Sequence, residues 1–159
     1  MDRATAVPIV RRGRVAASIA ITVAIAAITN GALAIFGLNQ PASQHWPAFA
    51  PRGPVIGLVW IGLFAAMGAA FALARSKGAI ATLVTICLAF PFYTHAVGGH
   101  AIELIGNLVT LAYALWLIVR LRSESSAAAL FVGFVAAWLI FATALVLGLV
   151  QLNGWSTPR

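Results

Sequence analysis

The stretch from residue 126 to residue 150 reads SAAALFVGFVAAWLIFATALVLGLV and contains no charged residue. At about 1.5 Å per residue, a helix over this stretch is longer than the roughly 30 Å hydrocarbon core of a bilayer. Because lipid offers the backbone no hydrogen-bond partners, a lone segment can cross it only as a helix. The stretch therefore predicts a membrane-spanning helix.

Four more apolar runs precede this stretch, and each ends at a charge, a proline or a glycine cluster. They are Val15 to Leu38, Pro54 to Ala74, Gly78 to Val97 and Ala101 to Val119. Of the 159 residues, 62% are hydrophobic and 8% are charged, whereas a soluble domain has about 25% charged residues. We therefore predict an all-α integral membrane protein, a five-transmembrane-helix bundle, in which Pro91 kinks the third helix or ends it early.

The apolar runs also predict how the chain is divided into a membrane domain and two tails. A basic cytoplasmic tail over residues 1–14 precedes a membrane domain over 15–150, and a short tail covers 151–159. The first run has arginines before it and an Ala32-x-Ala34 pattern, as a signal peptide has. It is longer than the 7 to 15 residues of a cleaved apolar region, so we interpret it as a span.

Basic residues lie at the ends of the apolar runs, which indicates an orientation rather than a nucleic-acid partner, despite a net charge of +7. The N-terminus and the second and fourth loops carry Arg3, Arg11, Arg12, Arg14, Arg75, Lys77, Arg120 and Arg122. The other side carries Arg52 and Arg159. The positive-inside rule then places the N-terminus in the cytoplasm and the C-terminus outside. We expect a bacterial inner membrane, with membrane lipid as a partner.

Few side chains can carry chemistry. Cys87 is the single cysteine, which excludes an internal disulfide and a multi-cysteine metal site. Glu103, His95 and His100 surround the third loop, and His45 lies in the first loop on the same side. Without a helical histidine spacing we expect no metal site, although a proton relay through these groups stays open.

Polar residues also follow Glu103 on the fourth predicted helix. Asn107 and Thr110 come four and seven residues later and share its face. Hydrogen bonds between helices are the preferred interpretation of this stripe, and contact with a ligand is the alternative. Glu124 lies beside Arg122 in a basic loop, where we expect a solvated ion pair.

Two of the predicted helices carry aromatic stripes. On the second helix the stripe consists of Gly57, Trp60, Phe64, Met67 and Phe71, and a small-residue face consists of Gly62, Ala66 and Ala70. On the fifth helix the stripe consists of Trp138, Phe141, Ala142 and Leu145. If these helices face each other, they form an apolar slot with indoles at its base, suited to a flat hydrophobic ligand. The same spacing also fits a packed core.

The residues of these two helices resemble a known family. The stretch from Trp46 to Gly68, WPAFAPRGPVIGLVWIGLFAAMG, is similar to the signature of the tryptophan-rich sensory protein (TspO) family, relatives of the mitochondrial translocator protein. Ala137 to Leu145, AWLIFATAL, resembles a segment of the family's fifth helix, and the tail at Asn153 to Trp155 is also similar.

The resemblance implies a five-helix bundle, able to form a homodimer, whose first loop closes a pocket for hydrophobic small molecules. Porphyrins, haem or protoporphyrin IX, are the implied ligands, and no cofactor is obligatory. The implied role is transport or sensing rather than catalysis. Light-dependent porphyrin breakdown, linked to some bacterial members of the family, is left open by the resemblance alone. The implied pocket residues are Phe49, Pro51, Gly53, Ile56, Gly57, Trp60, Trp138, Phe141, Ala142 and Leu145.

The chain also departs from the family pattern. Arg52 and Leu58 stand where the family has prolines, Pro54 stands where it has a tryptophan, and the third helix lacks the usual N-x-x-W-S-P segment. Two other functions therefore remain open. One is an accessory membrane subunit that packs against partner helices, and the other is a small proton-coupled transporter that uses Glu103 and His100.

Overall fold

The computed structural model of the chain describes residues 3–37 and 45–155, with the backbone alone for residues 3–11. The described residues form five α-helices. They are α1 (Arg3–Ile35), α2 (Gly53–Leu73), α3 (Lys77–Val97), α4 (His100–Arg122) and α5 (Ser126–Asn153). All five contain a segment long and apolar enough to cross a membrane. The predicted five-helix integral membrane fold is confirmed.

Helix ends differ from the predicted ones where polar residues continue a helix beyond its apolar run. Helix α1 begins at Arg3 rather than Val15, so the predicted basic tail is largely helical. Helix α5 continues past Val150 to Asn153 and stops at Gly154, whose φ of 82° a side chain would oppose.

Pro91 does not end α3, which continues to Val97, so an early end at this proline is wrong. Proline is tolerated in membrane helices because nearby hydroxyl groups and small adjustments satisfy the freed backbone groups. The Thr94 hydroxyl donates to the Phe90 carbonyl oxygen at 2.8 Å. A kink at Pro91 stays a prediction.

Four of the helices form a ring. Helix α2 packs against α3 and α5, and α4 packs against the same two helices. Helix α1 lies outside the ring and packs mainly against α2. The first loop, the α3–α4 turn and the end of α5 share one end of the bundle, called here the first-loop end. The α2–α3 and α4–α5 connections lie at the opposite end.

The continuous apolar core fills only part of this ring. Its fully buried members include Met67, Ile80, Leu83, Leu117, Leu121, Val132 and Val135. On α2 the core cluster begins at Leu63, on α4 it begins at Ala114, and on α5 it ends at Leu139. The core therefore occupies the half of the ring nearer the opposite end.

Helix α1 approaches α2 closely at Gly68. A Cβ atom on Gly68 would lie 2.8 Å from the Ile19 Cα and from the Ser18 carbonyl oxygen. The Ser18 hydroxyl donates to the Gly68 carbonyl oxygen at 2.7 Å. Gly62, predicted to let a neighbouring helix approach, is exposed, and a Cβ atom there would meet no described neighbour within 4 Å. Ala66 and Ala70 of the predicted small-residue face are buried, and the close approach of α1 is at Gly68, which is not on that face.

Glu124 joins the two connections at the opposite end. One of its carboxylate oxygens accepts from the backbone N–H groups of Arg75 and Ser76, at 2.9 and 2.8 Å. The Ser76 hydroxyl donates to the other oxygen, and Arg120 Nε lies 3.9 Å from it. The expected pairing of Glu124 with Arg122 is wrong, because the folded α2–α3 connection presents its backbone donors to this carboxylate.

Adding a side chain at Gly68 tests the α1–α2 contact. Gly68→Leu places atoms where the α1 backbone lies, and overpacking of this kind costs about 1–3 kcal/mol. Its unfolding midpoint in detergent should fall clearly below that of the wild type. Gly62→Leu is the matched control, with the same gain in helix propensity of about 0.5–1 kcal/mol and no clash, so its midpoint should not fall below that of the wild type. Equal destabilisation by the two variants would contradict the packing described.

Acid should weaken the connection made by Glu124. The Ser76 hydroxyl, followed by the Ser76 and Arg75 backbone N–H groups, lowers the pKa of Glu124 from its ordinary value of 4.5. Stability from a lowered pKa is fully present above that ordinary value and is lost as the pH falls through the folded value. Thermal melts below pH 4.5 should show this loss in the wild type and in Arg122→Gln, and a smaller loss in Glu124→Gln. A Glu124→Gln variant with the wild-type acid response would contradict the assignment of this loss to Glu124.

Candidate functional site

The described part of the first loop descends from His45 to Phe49 along the last three turns of α5. The Asn153 side chain holds His45, accepting from its N–H at 2.8 Å and donating to its carbonyl oxygen at 2.8 Å. Further down, Pro47 lies against Gly148, where a Cβ atom would come within 2.7 Å of the proline ring. Phe49 then reaches Phe141, with ring centroids 6.2 Å apart in an edge-to-face arrangement. From Asn153 to Phe141 the helix falls by about 18 Å.

These contacts place three rings in a row. Phe141 lies between Phe49 and Trp138, and the centroids of Phe141 and Trp138 are 5.3 Å apart. Phe49 is 54% exposed, whereas Phe141 and Trp138 are half-buried. Aromatic faces and edges at this spacing attract one another and also suit a flat aromatic ligand. We call Phe49, Phe141 and Trp138 the aromatic row.

The indole N–H of Trp138 is a buried donor. Its Nε1 atom makes no hydrogen bond with any residue that the structure describes. A buried tryptophan N–H usually has a partner, because a buried donor without one costs about 1–3 kcal/mol. Such a donor at the lower end of the aromatic row is therefore a candidate contact for a ligand acceptor.

Trp60 and Trp138 both lie at the upper boundary of the core. Trp60 precedes Leu63, the first core residue of α2, and Trp138 precedes Leu139, the last core residue of α5. Both indoles are half-buried and pack against the core. Trp60 also lies beside Phe64, with ring centroids 5.9 Å apart. The two indoles thus occupy matching positions on neighbouring helices.

Helix α4 contributes small and polar residues to the same half of the ring. The residues of α4 buried before its first core residue are His100, Gly106, Asn107 and Thr110. Tyr93 and Phe90 of α3 lie over Gly106, where a Cβ atom would overlap the tyrosine ring. On α4, the half of the ring below the first loop is therefore lined by smaller and more polar residues than the half that holds the apolar core.

Glu103 and Thr110 make their hydrogen bonds within α4. Glu103 Oε2 lies 3.0 Å from Nδ1 of His100, and the Thr110 hydroxyl donates to the Gly106 carbonyl oxygen at 2.7 Å. The preferred interpretation of this stripe, hydrogen bonds between helices, is wrong for these two residues. At spacings of three and four residues, groups on the same helix are the nearest partners.

The predicted pocket residues fall into two groups. The structure brings Phe49, Trp138 and Phe141 together, and Ala142 and Leu145 continue their face of α5, half-buried and buried. On the α2 side Pro51, Ile56 and Trp60 are half-buried. Gly53 and Gly57 are exposed, and a Cβ atom on either would meet no described neighbour within 4 Å. Whether all ten residues contact one ligand stays a prediction.

Several residues of this site were not predicted. Pro47, Gly148 and the side chain of Asn153 hold the first loop on α5. An asparagine just before a C-terminal glycine, and prolines spaced along the loop, are signals of an ordered end.

Among the described residues no group of three or more His, Cys, Asp or Glu side chains is placed to hold a metal ion.

Asn153 should control the order of the first loop. Asn153→Leu removes both hydrogen bonds to His45, so the loop should open more often and its amides should exchange faster. Hydrogen–deuterium exchange of residues 46–50, measured by mass spectrometry in detergent, should rise by about three-fold or more, the equivalent of losing one hydrogen bond. Gln151→Leu, at an exposed position of the same turn, is the control. Unchanged exchange in Asn153→Leu would show that the loop is held elsewhere.

Comparison of the chain with models of known protein families and with curated proteins finds no match.

Proposed function

We propose that the protein binds a porphyrin or a similar flat hydrophobic ligand between the first loop, α2 and α5, and acts in its transport or sensing. The observation that carries this proposal is the aromatic row, with the indole N–H of Trp138 at its lower end unpartnered among the described residues. A tetrapyrrole offers a wide π-face for the rings and acceptor atoms for the N–H.

The position of the core supports the same site. The continuous apolar cluster begins at Leu63 on α2, just below Trp60, and ends at Leu139 on α5, one residue above Trp138. Above this cluster lie half-buried aromatic rings, the small or polar positions of α4, and the buried Leu145, Val146 and Leu149 of α5. Ligand sites in helical bundles typically combine an apolar lining with a few polar groups.

Gly57 adds support from α2. It shares a face with Trp60, Phe64 and Met67 by its spacing. Phe64 and Met67 are buried, Trp60 is half-buried, and Gly57 is exposed, with no described neighbour within 4 Å of where a Cβ atom would lie. Packing on this face thus decreases toward the first loop, as expected for a helix that borders a ligand site.

The first loop is then the segment through which a ligand enters. Phe49 is half-exposed and lies against Phe141, so displacement of this part of the loop uncovers Phe141. By the positive-inside rule the first-loop end faces outward, with the N-terminus in the cytoplasm of a bacterial inner membrane. A ligand would therefore enter from the outer side or from the outer leaflet.

Protoporphyrin IX titrations test the proposal. Binding to the detergent-solubilised protein should quench tryptophan fluorescence in a saturable manner. Trp138→Phe keeps a ring but removes the N–H, so the dissociation constant should rise about two- to ten-fold, as the loss of one hydrogen bond predicts. Trp116→Phe is the matched control, since Trp116 is exposed on α4 and lies beside Arg120.

A second variant tests the location. Ala142→Trp adds a large ring beside the aromatic row and should abolish saturable binding while the protein remains folded. Equal affinity of the wild type and both variants would contradict the proposed site. No saturable quenching in the wild type would contradict the proposed function and favour an accessory subunit.

A further inference from the structure

A second buried ring nitrogen lies at the first-loop end, away from the aromatic row. His100 is the first residue of α4, and its side chain is 0% exposed. Its Nδ1 atom lies 3.0 Å from Glu103 Oε2. Its Nε2 atom is buried and has no hydrogen-bond partner among the described residues.

The carboxylate decides which ring nitrogen carries the proton. An ionised glutamate accepts hydrogen bonds only, so Nδ1 must be the donor in this pair. A neutral imidazole with a proton on Nδ1 has a free lone pair on Nε2. Nε2 is therefore the atom at which the ring takes up a second proton, and the carboxylate then balances the new charge.

The C-terminal segment lies against this residue. The His100 backbone N–H donates to the Trp155 carbonyl oxygen at 3.0 Å. Gly154, with a φ of 82°, turns the chain from α5 toward the α3–α4 turn. A Cβ atom on Gly99 would lie 3.3 Å from the same carbonyl oxygen, so the C-terminal segment and the α3–α4 turn are in close contact.

Few other ionisable groups adjoin the pair. Helix α5 contains no titratable residue. Near this end of α3 the titratable residues are Tyr93, whose ring lies over Gly106, and His95, which is exposed. The described part of the first loop contributes His45, which is exposed and held by Asn153, and Arg52, which is exposed. Glu103 is the only acidic side chain on the described part of this end.

We propose that His100 and Glu103 form a proton-binding pair whose exchange with water is controlled by the segment Gly154–Trp155. The proton enters at Nε2 while Nδ1 keeps its hydrogen bond to Glu103. The new Nε2–H then needs an acceptor, because Nε2 has no partner among the described residues, and water supplies one when the segment is displaced. Proton uptake therefore favours displacement of the segment and links acidification to opening at the first-loop end.

Exchange of the imidazole C2 hydrogen, followed by mass spectrometry in detergent, tests the access step. His45 and His95 are exposed internal references. At pH 8, His100 should exchange at least about ten-fold more slowly than both, because its exchange requires local opening. Similar rates for all three histidines would overturn the proposal.

Gly154→Val tests the role of the segment, because a β-branched residue at this positive φ is strained. It should accelerate His100 exchange about three-fold or more, since local strain raises the open population, and leave His95 unchanged. Gly133→Val, at a helical position with no described atom near its Cβ, is the control and should have no effect. No acceleration in Gly154→Val would overturn control by the segment.

Nitrogen-15 NMR of histidine-labelled protein tests the pair itself. At pH 8 the His100 signals should show the proton on Nδ1, and Glu103→Leu should shift the population toward the Nε2-protonated form. His95 serves as the unchanged reference. A His100 spectrum that is insensitive to Glu103→Leu would overturn the pair. None of these readouts uses porphyrin, so they are independent of the proposed ligand.

Discussion

The structure depends on side-chain packing within one half of the four-helix ring. Lipid tails are as apolar as leucine, so membrane helices associate through close van der Waals contact rather than through removal of water. Met67, Leu83, Leu117 and Val132 supply that contact, one from each helix of the ring, and all are fully buried. Because these residues hold the helices together near the opposite end, side chains at the first-loop end are available for binding.

At the first-loop end, polar contacts and a few aromatic contacts hold the segments in place. Asn153 holds the top of the first loop, and Phe49 reaches down to Phe141. Two buried ring nitrogens, on Trp138 and His100, have no partner among the described residues. Buried polar atoms normally have one, and each exception calls for an explanation, such as an ordered water, an ion, strain or a functional role. The two atoms differ in character, because the indole can only donate whereas the imidazole can take up a proton.

Much of the fold was predictable because the thickness of the bilayer sets the length of each apolar run. The helix ends were less predictable, since α1 begins at Arg3 and α5 ends at Asn153, both beyond the apolar runs. The spacing of Trp138, Phe141 and Leu145 correctly placed them on one face. The contacts of Pro47 with Gly148 and of Glu124 with Ser76 depend on which segments become neighbours, and local sequence does not encode that. The three-residue spacing of His100 and Glu103 is a local signal that could have predicted their contact.

A structure of the protein with bound protoporphyrin IX, at a resolution that locates the macrocycle, is the most direct measurement. The expected result is a macrocycle stacked against Phe141 and Trp138 beneath the first loop, with an acceptor atom within hydrogen-bonding distance of the Trp138 Nε1. A macrocycle bound on the outer face of α1, or an unchanged aromatic row with the porphyrin in the surrounding detergent, would contradict the proposed site.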